Sequence, residues 1–158
     1  EENLFQNNYS DYKIYNIAFG DICSEVNFVF SPTHDNGYMY NNSEDMKKSE
    51  KIPVLHKVQC VNPESFLIER YNTEELKKIK FIKIDTEGLD YIILKNLNFL
   101  INLSQPVLMI ENFQHERIKR KLEKSIQPLL LKYELYNRDF QKIEFGSNTL
   151  DYILVPKI

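Results

Sequence analysis

The chain has 158 residues, with 42% hydrophobic and 27% charged side chains, so it is long and apolar enough for one globular domain. Its 20 basic and 23 acidic residues give a net charge of −3, which excludes an overall basic footprint for nucleic acid. Two cysteines, Cys23 and Cys60, and three histidines exclude a disulfide framework, a zinc cluster and a haem motif, and suit a reduced, cytoplasmic protein.

Residues 1–8 are acidic and polar and carry no signal-peptide pattern; they read as the tail of a helix that lacks its cap, as though the sequence begins within an element. Residues 12–19 (YKIYNIAF) alternate as a strand that Gly20-Asp21 ends. Residues 26–30 (VNFVF) form a second short strand. Residues 31–53 read as a long polar loop with turns at Ser31-Pro32 and Asn36-Gly37. Residues 55–61 make a third strand.

Asn62 caps a helix that opens with Pro63 and Glu64 and runs to about Tyr71. Thr73-Glu74-Glu75 opens a short second helix. Residues 80–84 (KFIKI) form a compact strand, and residues 89–101 a single helix whose stripe is Leu89, Ile92, Ile93, Leu97, Leu100 and Ile101. Residues 106–110 (PVLMI) lack alternation and predict a strand buried on both faces. Residues 115–126 form a helix with a basic outer face, which Pro128 kinks or restarts. Residues 133–138 and 150–155 are two last strands, expected to pair antiparallel. No apolar run reaches the ~20 residues of a membrane span; the most apolar stretch, 99–110, is broken by Asn102, Ser104, Gln105 and Pro106. Strands alternating with helices predict an α/β fold in a single domain, with a doubly wound, mainly parallel sheet and an antiparallel edge strand.

Chemistry concentrates in FIKIDTEGLDYIILKNL, residues 81–97. On an extended chain Lys83 and Asp85 share a side, and Glu87 joins them if the chain stays extended. Asp85 falls at the carboxyl end of a strand before a helix, where open α/β sheets bind ligands. The same acids also suit a helix cap: Asp85 or Thr86 could cap the next helix, and Glu87 could simply meet its dipole. Glu111 follows the next strand and Asp21 the first. Three carboxylates at three parallel strand ends would meet along one rim.

KIDTEGLDYIILKNLNFLI followed by PVLMIE resembles the FkbM-type methyltransferases, a branch of the class I S-adenosylmethionine-dependent enzymes. YNIAFGDICSEVNFVF, VQCVNPESFLIERY and LDYILVP resemble further stretches of that family in the same order, so the likeness covers nearly the whole chain. The resemblance implies a Rossmann-like seven-strand sheet, bound S-adenosylmethionine and O-methylation of a hydroxyl on a sugar or other small metabolite. It implies cofactor contacts at Gly20, Asp21 and Asp85, with Asp21 by the adenine ring and Asp85 near the transferring methyl. Glu87 and Glu111 would line the acceptor side as catalytic residues with Asp85, and Lys83 would support Asp85. The family's glycine-rich turn and ribose-holding acid are expected upstream of Glu1, because the four glycines, Gly20, Gly37, Gly88 and Gly146, are too scattered to form that turn. Asn96 stands where the family has a small residue.

Asp85 is the leading candidate for the base that accepts the hydroxyl proton, ahead of Glu87, Glu111 and His115. The expected partner is a small-molecule acceptor, not nucleic acid or a membrane, and an incomplete sheet would favour homo-oligomers. Two other classes remain open from the residues: a non-catalytic binding or scaffold domain, and a nucleotide-sugar transferase using Asp85 and Glu87 to hold a divalent metal. The cations Arg117, Lys119, Arg120, Lys121 and Lys124 fan around a helix among Glu116 and Glu123, as a solvated face does.

Overall fold

A computed structural model describes residues 11–21, 24–30, 37–40, 54–86, 88–112 and 115–157. The first sheet has the order β1-β4-β2-β3, from β1 (Ile17–Phe19), β2 (Ser24–Phe30), β3 (Gly37–Tyr40) and β4 (Val54–Val61). β1 runs parallel to β4, while β2 is antiparallel to both β4 and β3. The expected long loop therefore contains β3, which its Asn36-Gly37 turn signal obscured; the rest of residues 31–53 lies outside the described residues, as do residues 1–8.

The expected strand over 12–19 shrinks to its last three residues. Tyr15 is drawn away from a ladder, packing edge-on against Phe66 with ring centroids 4.9 Å apart and sharing a hydroxyl contact with Tyr71 at 3.1 Å. Both partners belong to the region of α1 (Pro63–Arg70), which Asn62 caps by accepting from the Ser65 amide. α2 (Thr73–Leu76) follows, closed at its start by a reciprocal Asn72–Glu75 capping box.

The second sheet has the order β5-β6-β8-β7, from β5 (Phe81–Ile84), β6 (Val107–Glu111), β7 (Tyr133–Tyr136) and β8 (Asp151–Pro156). β5 and β6 are parallel, and β8 is antiparallel to both neighbours. Two expectations are corrected here. The antiparallel strand is interior, not at the edge, because β8 returns from β7 and inserts beside β6. Nor does one mainly parallel sheet appear among the described residues: they form two mixed sheets, with β1 paired only with β4 and β5 only with β6, and most ladders are antiparallel. The α/β class itself holds.

Between the strands lie α3 (Asp90–Asn96), α4 (Asn98–Ser104) and α5 (Glu116–Ile126), with a 3₁₀ turn over Gln127–Leu131 where Pro128 restarts the chain. The single helix expected over 89–101 is broken at Leu97, whose amide bonds Leu94 at 3.3 Å. Asparagines flank the break and favour alternatives to helical bonding. Asn96 bonds Asp21, and the Phe99 amide is taken by Glu64 at 3.1 Å. Gln105 then ends α4 in the left-handed region at φ 45, and Pro106 prevents any continuation.

One face of the second sheet makes the core. Ile84, Leu108, Ile110, Leu135, Tyr152 and Leu154 are buried there against Ile93, Leu94, Leu97, Leu100, Ile101, Leu122 and Ile126 of the helices. Each such side chain stabilises the fold by about 1.5–3 kcal/mol through burial. β6 is not equally buried on its two faces as expected: Leu108 and Ile110 are fully buried, while Val107, Met109 and Glu111 are half-buried. The opposite face of the sheet thus carries Phe81, Lys83, Met109 and Glu111, and this face leads to the chemistry.

Candidate active site

Period-two alternation along β5 turns Ile82 and Ile84 inward and leaves Phe81 and Lys83 exposed. Asp85, one residue past the strand, stays on the Lys83 side. Lys83 Nζ donates to Asp85 Oδ2 at 2.5 Å, with about half of each side chain in solvent (52% and 44% exposed). A pair so wet adds little stability; its consequence is to fix the direction of the carboxylate.

In the parallel β5–β6 ladder, Ile84 lies beside Ile110. Asp85 and Glu111 are the next residues of their chains, so these two carboxylates stand at the same end of neighbouring strands, about 4.8 Å being the usual strand spacing. Across the other side of β6, Glu111 is directly opposite Asp151. Asp151 is almost fully buried and accepts from Arg138 Nε. Asn112 secures this corner: its amide bonds the Leu150 carbonyl at 2.8 Å, and Nδ2 bonds the Thr149 carbonyl at 2.7 Å. Three acidic residues, Asp85, Glu111 and Asp151, therefore occupy one row across three strands.

Other expected residues fall elsewhere. Gly20 is buried, its amide bonded to the Val61 carbonyl at 3.0 Å, and the exposed Asp21 accepts from Asn96 Nδ2. Asn96 is the last residue of α3, whereas Asp85 lies before its first. The β5–β6 register brings Asp85 and Glu111 together, while Asp21 is bonded at the last residue of α3. Asn96 also lines a cleft of about 450 Å³ with Asn62, Glu64, Asn98 and Phe99, which touches neither Asp85 nor Glu111. Glu87 lies outside the described residues. His115 is exposed at the start of α5 and makes no side-chain cap.

Sequence reasoning missed Asp90, Arg138 and Asp151. Asp90 is 1% exposed at the start of α3. Its Oδ2 accepts from Thr86 Oγ1 at 3.1 Å and from the Gly88 amide at 3.2 Å. Burial pushes its carboxyl above the ordinary range; its own amide, then the Thr86 hydroxyl and the Gly88 and Thr86 amides, oppose the shift without cancelling it. The available signal was the acidic residue closing the EGxD stretch. Asp151 was visible as the acid opening the last strand, but its register against Glu111 depends on a strand insertion that periodicity does not encode.

Carboxylates at the ends of parallel strands in an α/β layer mark the candidate ligand edge. The family model described as the methyltransferase FkbM domain matches residues 2–153, and the chain belongs to that family. No curated protein and no solved structure gives a match. Membership points to methyl transfer and therefore to a methyl donor. Among the described residues no helix is long and apolar enough to cross a membrane, and no three His, Cys, Asp or Glu side chains gather as a metal-binding set.

Proposed function

We propose that this chain is an S-adenosylmethionine-dependent O-methyltransferase of small molecules, acting on a hydroxyl of a sugar or similar metabolite. The observation that carries the reading is the Asp85–Glu111 rim beside an anchoring Lys83, within a chain of the FkbM family. The donor set fits the cofactor chemically: carboxylates suit its positive charge and its hydroxyl groups. S-adenosylmethionine, when bound, supplies a methyl group activated on a positively charged sulfur.

The residues of the chain do the rest. Lys83 engages Oδ2 of Asp85, so Oδ1 is the oxygen we assign to take the proton of the acceptor hydroxyl. Such general-base help is worth about 10²–10⁴-fold in rate. Glu111, and Glu87 by its place in the motif, would orient the acceptor by hydrogen bonds; positioning of this kind can supply about 7–11 kcal/mol of barrier reduction. Gly20 and Asp21 keep the adenine end of the cofactor that the resemblance gives them, with Asp21 oriented by the Asn96 amide.

The test is transfer of labelled methyl from S-adenosylmethionine to a panel of monosaccharides and sugar phosphates, by wild type and Asp85→Asn. Transfer by the wild type and its collapse in the variant support the reading. Equal transfer by both would remove Asp85 from the chemistry. Divalent-metal-dependent nucleotide-sugar binding in place of methyl transfer would replace the reading with a glycosyl-transfer one.

A further inference from the structure

We infer that Asp90 is a positioning residue: its carboxylate clamps the turn between β5 and α3 and thereby sets where Asp85 stands on the rim. The functional half of this inference rests on the methyltransferase reading; the clamp rests on geometry alone.

Acidic residues in the first turn of a helix are common because they meet the positive end of the dipole. That role is played from the surface, as Glu74, Glu75 and Glu116 do here while remaining exposed. Asp90 differs in being 1% exposed, and burying a carboxylate is costly unless its hydrogen bonds repay it. No Lys or Arg pairs with it among the described residues. Oδ1 finds no hydrogen-bond partner among them either.

What Asp90 does hold is the turn. Oδ2 takes the Thr86 hydroxyl and the Gly88 amide, the residues on either side of position 87. Gly88 is buried at φ 97, a left-handed conformation that glycine tolerates without strain. The Leu89 amide closes the same turn on the Thr86 carbonyl at 3.4 Å. Asp85 therefore stands between the Lys83 ion pair on one side and a turn gathered by one buried carboxylate on the other. A charged acceptor holds two donors more firmly than a neutral one. Asn at this position keeps a carbonyl oxygen for both donors, whereas Ala keeps none.

Asp90→Ala, Asp90→Asn and Thr86→Val are compared in the full chain by amide hydrogen exchange, melting temperature and S-adenosylhomocysteine titration. In Asp90→Ala, exchange at Gly88 and Leu89 should accelerate about tenfold or more, with β6 and β8 unchanged, as for loss of a local hydrogen bond. S-adenosylhomocysteine affinity should fall by a similar factor, and Asp90→Asn should restore both to within about threefold. Should Asp90→Ala not fold, Thr86→Val carries the test, with faster exchange confined to the same turn. Exchange that is unchanged, or faster throughout the core, overturns the clamp, as does Asp90→Asn behaving like Asp90→Ala. Local exchange as expected, in a wild-type chain that binds no S-adenosylhomocysteine, upholds the clamp and counts against the methyltransferase reading instead.

Discussion

Glu111 and Asp151 occupy one register position of the antiparallel β6–β8 ladder, so two acidic residues face each other across a strand pair. Like charges directly opposite are destabilising. Arg138 offsets this from the far side by donating to Asp151, whose side chain is 4% exposed against 57% for Arg138. Arg138→Ala should therefore cost about 1–3 kcal/mol, less than a fully buried pair would because the guanidinium is half in solvent. Adding Glu111→Gln should recover part of that loss, since the uncompensated Asp151 then faces a neutral neighbour. Urea unfolding of the double-mutant cycle reads the coupling, and additive losses would show that the two carboxylates do not sense each other.

On the proposed reading Lys83 acts only through Asp85, its ion-pair partner. Lys83→Met should leave stability within about 1 kcal/mol, because the ion pair is exposed. Methyl transfer should fall by about tenfold, well short of the 10²–10⁴-fold expected when a general base itself is lost. Steady-state kinetics beside thermal melts separate the two effects. A large stability loss with unchanged turnover would make the pair structural.

The acidity of Asp90 carries a sign that can be checked. Its folded carboxyl lies above its unfolded value because burial penalises the charge. The folded state therefore holds the proton more tightly, and the stability this contributes is complete below the unfolded value. It is lost as pH rises through the folded one. Unfolding free energy should decline across that window in the wild type, and the decline should be absent in Asp90→Asn. Urea melts at a series of pH values give the comparison; identical slopes would remove Asp90 as the source.

Leu108 is completely buried on the core face of β6, whereas Leu131, the last residue of the 3₁₀ turn, is 83% exposed. Leu108→Ala should cost about 2–5 kcal/mol through lost burial and the cavity left behind. Leu131→Ala should stay within about 0.5 kcal/mol. Calorimetric melting of both variants checks that the buried face of β6, and not the exposed 3₁₀ turn, holds the domain together.

Local chemistry was the legible part of this chain. The Asn62-Pro63 helix start, the KFIKI alternation and the Lys83–Asp85 proximity all follow from spacing within a few residues, and the structure keeps them. Glu111 beside Asp85 was also readable, because each acid directly follows an apolar run and the two runs pair in parallel. What spacing could not supply was non-local. The insertion of β8 between β6 and β7 made Asp151 the neighbour of Glu111, and the bond between Asn96 and Asp21 drew Asp21 to the other end of α3. The break at Leu97 had a local cause, the asparagines at 96 and 98, but the apolar stripe masked it by continuing in phase through both helices.

S-adenosylhomocysteine titration by calorimetry, on the wild-type chain and on Asp85→Ala, bears most directly on the role given to the Asp85–Glu111 rim. Saturable one-to-one binding, weakened about tenfold or more when a charged hydrogen-bonding group is removed, is the predicted result. Absence of binding by the wild type, or an affinity that ignores the loss of Asp85, would contradict it.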